Sequence, residues 1–153
     1  AVRVLSTWPN NWPHDRDAAA VLLEVARSGD TRTHQLLALR GYLQYVRGND
    51  RLGAQQKAAR VRDVLGLIQR PQEKRAAIGV LGGVAAPESL DILMEMAGDA
   101  AVAEEAYSAM VALAGSGQGI AKEQRLKALE LAASRTGNEA TKKKAAEAMA
   151  KLR

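Results

Sequence analysis

The chain has 153 residues, 47% hydrophobic and 25% charged, with 22 Lys and Arg against 17 Asp and Glu for a net charge of +5; that balance excludes a disordered polyelectrolyte. The absence of Cys removes disulfides, thiol catalysis and Cys-ligated zinc together, and no apolar run reaches the roughly 20 residues needed to cross a bilayer. Aromatics are 3% and Phe is absent, so the apolar content rests on Ala, Leu and Val, small and medium side chains that let helices approach closely.

Ala1-Val2-Arg3-Val4-Leu5 reads as the interior of a helix over 1–7, and a preceding element is expected. The stretch Trp8-Pro9-Asn10-Asn11-Trp12-Pro13-His14-Asp15 is a proline-stiffened connection whose two indoles are expected to cover the end of the first hairpin, with His14 capping the next helix. That helix, over 16–28, carries the stripe Ala18, Val21, Leu22, Val25 and Ala26. Another over 31–47 holds Tyr42 and Tyr45 one turn apart, packed with a phenol at the surface. After Gly48-Asn49-Asp50, a helix over 53–69 shows Ala54, Ala58, Val61, Leu65 and Ile68 on one face. Pro71 suits the first turn of a helix over 72–84, with Glu73 near its positive end.

Ala86-Pro87 leads into 87–97, striped by Leu90, Leu93, Met94 and Ala97, and a helix over 100–114 comes after it. Gly115-Ser116-Gly117-Gln118-Gly119 stands behind a helix, lacks the Lys-Ser/Thr of a P-loop and does not fit GxGxxG, so it reads as a turn rather than a phosphate cradle. Helices over 120–135 and 139–152 complete the chain; in the last, Lys142-Lys143-Lys144 is a solvated face in which Lys143 pairs with Glu139 and Glu147, each four residues away. Gly29-Asp30, Gly98-Asp99 and Gly137-Asn138 each place a glycine suited to positive φ before an Asx that caps the next helix. No segment alternates with period two.

One short pattern recurs, beginning at Ala1, Ala38, Ala77, Ala106 and Ala145, spaced by 37, 39, 29 and 39 residues. Such spacing fits two helices and two connections, giving units of about 1–29, 30–70, 71–98, 99–137 and 138–153 in a single domain that reads as a fragment of a longer chain. The expected fold is all-α: a right-handed α-α superhelix of about four helical hairpins plus a terminal helix. Leu36-Leu37-Ala38-Leu39-Arg40-Gly41-Tyr42, Arg70-Pro71-Gln72-Glu73-Lys74-Arg75 with Gly79-Val80-Leu81-Gly82, and Ala86-Pro87-Glu88-Ser89-Leu90 resemble the HEAT-like, armadillo-type repeat segments of large bacterial multidomain proteins. That resemblance spans nearly the whole chain; it implies a scaffold or docking module, leans towards an exported location, and carries over no catalytic residue.

His14 and His34 are the only histidines and have no HExxH spacing, so neither a metal site nor a cofactor is expected. In stacks of this class the second helix of each hairpin lines the concave face. The binding surface expected there comprises Arg27, Lys57, Arg60, Arg62, Asp63, Asp91, Glu95 and Arg125, with Trp12 as an aromatic ledge. The partner expected is a protein or a neighbouring domain of the same polypeptide. A nucleic-acid reading would use the basic patch Lys57, Arg60 and Arg62, but Glu88, Asp91 and Glu95 interrupt any continuous phosphate track. An enzyme acting on an extruded base would need Asp91 or Glu95 in a catalytic role, and fold analogy alone supplies no such site.

Overall fold

The computed structural model describes residues 1–153 and contains nine α-helices and no strand, which places the chain in the all-α class. The helices are α1 (Val2–Thr7), α2 (Arg16–Ser28), α3 (Arg32–Gly48), α4 (Ala54–Val64), α5 (Pro71–Leu81), α6 (Pro87–Met96), α7 (Ala103–Ser116), α8 (Lys122–Arg135) and α9 (Glu139–Leu152), with short 3-10 turns at Trp8–Asn10 and Leu65–Leu67. None is long and apolar enough to cross a membrane. The chain divides into two compact units, Ala1–Ala77 and Ile78–Arg153, the boundary falling inside α5.

In the first unit α3 is the central element, packing against α1, α2 and α4. Its buried face is Ala38, Leu39, Tyr42, Leu43, Tyr45 and Val46, met by Leu22 of α2 and by Ala58, Val61 and Val64 of α4. Removing a Leu-sized side chain from water contributes about 1.5–3 kcal/mol, so this face holds the unit together. Gly41 allows the close crossing of α1: a Cβ there would stand 2.7 Å from Ser6 Cα and 2.8 Å from its carbonyl oxygen. In the second unit α6, α7, α8 and α9 pack in sequence, and α7 also touches α9 while α6 touches α8. Leu90, Leu93, Met110, Leu113 and Leu129 fill that core, with Ala106, Ala128, Ala132 and Ala145 fully buried where the helices come closest.

Side-chain hydrogen bonds between elements recur at similar sequence separations. His14 to Asn49 spans 35 residues, Arg40 to Gln72 and Glu73 spans 32 and 33, Gln124 to Pro87 and Asp91 spans 37 and 33, and Glu104 to Thr136 and Gly137 spans 32 and 33. Each therefore joins positions 32 to 37 residues apart. A second device joins consecutive helices: Lys57, in the first turn of α4, donates to the Arg47 carbonyl at 3.1 Å, and Arg125, at the corresponding place in α8, donates to the Ala114 carbonyl at 2.7 Å. Both satisfy carbonyls that the end of the preceding helix leaves without an intrahelical partner.

Several local expectations differ from what the chain does. Positive φ occurs only at Gly117 and Gly119, not at Gly29, Gly98 or Gly137. Gly29 is extended at φ −61°, and its lack of a side chain serves space instead, since a Cβ would lie 2.6 Å from the Val25 carbonyl oxygen. Asn138 does cap α9, but Thr31 rather than Asp30 caps α3, and Asp99 receives the Ala101 N–H in a turn that precedes α7. Asp15, not His14, caps α2. The helix over 53–69 ends at Val64, where Gly66 sits in a 3-10 turn without a side chain to pack. Tyr42 and Tyr45 are both 2% exposed, so neither phenol reaches the surface as expected. Lys142 rather than Lys143 pairs with Glu139, at 3.0 Å and three residues away.

Candidate functional site

Between α1 and α2 the chain builds an aromatic ledge. Pro9, buried, is the second residue of the 3-10 turn, and the Trp12 backbone N–H donates to the Trp8 carbonyl at 2.9 Å, which brings both indoles to one side. Their rings stack with centroids 6.0 Å apart and an interplanar angle of 28°. The expected covering of the hairpin end does not occur: Trp8 is 38% and Trp12 58% exposed, and Val21, read as core from its spacing, is 44% exposed. The indoles pack on each other because the turn places them side by side, and α2 buries Ala18, Ala19, Leu22 and Ala26 instead.

Two groups fix the ledge. The Asp15 carboxylate accepts the Ala18 N–H and the Trp8 Nε1–H, each at 2.9 Å, so one side chain both caps α2 and orients the indole. Those hydrogen bonds, the backbone one first, hold the Asp15 carboxyl below its ordinary value. His14 ties the turn to the α3–α4 connection. Its Nδ1 lies 3.0 Å from Asn49 Oδ1, an oxygen that also accepts the Arg51 N–H at 3.0 Å, so the imidazole donates from Nδ1; Nε2 lies 3.3 Å from Asp50 Oδ1. Two shallow cavities flank the indoles, each about 370 Å³. One is walled by Trp8, Trp12, Pro13 and His14, the other by Leu5, Trp8, Asp17 and Val21, and both include Asp15. The Trp12 indole N–H has no partner within the chain.

The remaining expected binding residues divide by what they touch. Arg27, in the last turn of α2, and Asp63 are exposed. Lys57 and Arg125 hold helix ends. Arg60 lies beside Tyr42, whose phenol raises the guanidinium above its already high ordinary value, with Asp63 adding a smaller attraction. Asp91 accepts the Gln124 Nε2–H at 2.9 Å, and Arg62 and Glu95 also engage other groups of the chain. Four of these eight charges, Lys57, Arg60, Asp91 and Arg125, thus join one helix to another.

Two features escaped the sequence reading. Glu73, expected only as a favourable charge near a helix start, is fully buried; its Oε1 accepts Arg40 Nε–H at 2.8 Å and lies 2.6 Å from Arg40 Nη2, while Oε2 has no hydrogen-bond partner. Nothing in the spacing of positions 40 and 73 announces that pair. A groove of about 610 Å³ runs between α7 and α9, lined by Arg125, Lys144 and Lys151 against a single carboxylate, Glu147. No three His, Asp or Glu side chains converge at metal-binding distance. No protein family, no curated protein and no solved structure matches the chain.

Proposed function

We propose that the chain is a non-enzymatic protein-interaction or domain-spacing module, built as a HEAT-like stack of helical hairpins. The observation that carries this reading is the distribution of exposed apolar surface: Val4, Trp8, Trp12 and Val21, the large hydrophobic residues left open to water, all fall within the first 21 residues. Contiguous exposed apolar surface marks association sites in proteins that otherwise bury such groups. The stacked-hairpin part of the reading draws support from the inter-element hydrogen bonds spaced 32 to 37 residues apart, which repeat in both units. Lys57, Arg60 and Arg125, engaged in intramolecular contacts, offer little to a phosphate track.

A nucleic-acid reading has one local feature in its favour, the lysines Lys144 and Lys151 lining the groove between α7 and α9. The two readings separate in a titration of the protein with fluorescent single- and double-stranded oligonucleotides at low and physiological salt, followed by anisotropy. The interaction-module reading expects no binding that steepens as salt falls. Affinity dropping by orders of magnitude between those salt conditions, as counterion release requires, would replace it with the nucleic-acid reading.

A further inference from the structure

We infer that the Trp8–Trp12 ledge is a docking site for a proline-rich peptide segment carrying a Lys or Arg. This rests on the reading of the chain as an interaction module and names the chemistry of what it holds.

The two cavities are adjacent and share Trp8 and Asp15, so an indole forms the ridge between two shallow apolar depressions of equal size, about 370 Å³ each. A polyproline II strand has three residues per turn and rises about 3.1 Å per residue, which puts residues i and i+3 on the same face roughly 9 Å apart. That repeat lets a single strand set residues of the same face on either side of one ridge. The strand makes no internal hydrogen bonds, so its carbonyls are open to a donor; the free, 58% exposed Trp12 indole provides one at the rim. Trp8 is held in place by Asp15 at 2.9 Å, and Pro9 and Pro13 stiffen the turn, so little conformational freedom is lost on binding.

Charge selects among apolar strands. The residues lining the two depressions include the carboxylates of Asp15 and Asp17 and no Lys or Arg, on a chain whose net charge is +5. A cation seated in the depression lined by Trp8, Asp15 and Asp17 gains ion-pair and cation–π attraction at one site. A sugar ring would also stack on an indole, but an uncharged ring gains nothing from the two carboxylates' ion-pair attraction or from a cation–π contact.

Trp8 and Trp12 are the only tryptophans in the chain, so intrinsic fluorescence reports on the ledge directly. The test titrates the full chain with a short polyproline peptide carrying one Arg, the same peptide with Glu in place of Arg, a soluble β-glucan oligosaccharide, and a single-stranded oligonucleotide. The expected result is a saturable emission change with the Arg peptide and an affinity weaker by about tenfold for the Glu peptide, a ratio within reach of one lost charge contact. Trp12→Ala, confirmed folded by circular dichroism and read through Trp8, should weaken the Arg peptide at least tenfold. Asp17→Lys should weaken the Arg peptide and not the Glu peptide. No saturable change with either peptide, equal affinity for both, or saturation by the oligosaccharide alone overturns the inference while leaving the interaction module intact. Salt-steep oligonucleotide binding instead overturns the reading beneath it.

Discussion

At the scale of single residues, the turn after α7 shows how one backbone angle and one side chain depend on each other. Gly117 has φ +76°, and a Cβ there would stand 2.3 Å from the Arg125 guanidinium that caps the helix end. Gly117→Ala therefore combines left-handed strain with displacement of the cap, and should cost about 1–2 kcal/mol. For a chain of this size that lowers the thermal midpoint by roughly 3–6 °C. Melting followed by circular dichroism measures it, and an unchanged midpoint would mean that the Arg125 cap does not hold the turn. The glycine-rich loop was legible as a turn because its spacing matched no phosphate-binding pattern. The partner of that turn was not, because Arg125 reaches back across ten or eleven residues and its side chain looks no different in sequence from an exposed cation.

At the scale of elements, the apolar spacing and the stop residues marked where helices lie, and the differences are local. α4 gives way to a 3-10 turn at Leu65–Leu67, and the Gly82-Gly83 pair lies just beyond the end of α5 at Leu81. The helix packing adds a requirement that periodicity does not express. Gly41 lies in the middle of α3, where glycine lowers helix stability, yet the α1 backbone crosses within 2.7 Å of where its Cβ would be. Gly41→Ala raises helix propensity and forces α1 away; the steric effect should dominate, for a net loss of about 1–3 kcal/mol in urea denaturation. A gain in stability would show that α1 is not packed on α3 at this point. The α2 stripe illustrates the converse. Val21 satisfies the helical spacing, but the buried face of α2 centres on Leu22, which leaves Val21 at the edge of the aromatic ledge.

At the scale of the molecule, hydrogen bonds make a carboxylate more acidic in each of the two units. Asp15 is lowered from 3.8 by the Ala18 N–H and then by Trp8, and Glu104 from 4.5 by Thr136 and then by the Gly137 N–H. Folded values below unfolded ones mean that the native state binds fewer protons, so the stability these groups contribute is present above the unfolded values and is lost as pH falls through the folded ones. Urea midpoints should hold steady above about pH 5 and decline below about pH 4. The double variant Asp15→Asn with Glu104→Gln should flatten that decline; an unaltered slope would assign the acid sensitivity to other groups.

The sequence alone determined the all-α class, the number and approximate bounds of the helices, and the connections between them, because these follow from local periodicity and from residues that stop or cap a helix. It could not determine which charges were free. Lys57, Arg60, Asp91 and Arg125 look like free surface charges in the sequence, and the fold engages each with another part of the chain: Lys57 and Arg125 with carbonyls at helix ends, Arg60 with Tyr42, and Asp91, still exposed, with Gln124. Burial of Glu73 against Arg40, and exposure of Trp8, Trp12 and Val21, were likewise decided by tertiary structure alone. Periodicity tells which residues share a face of a helix, whereas only the neighbouring elements determine whether that face meets water.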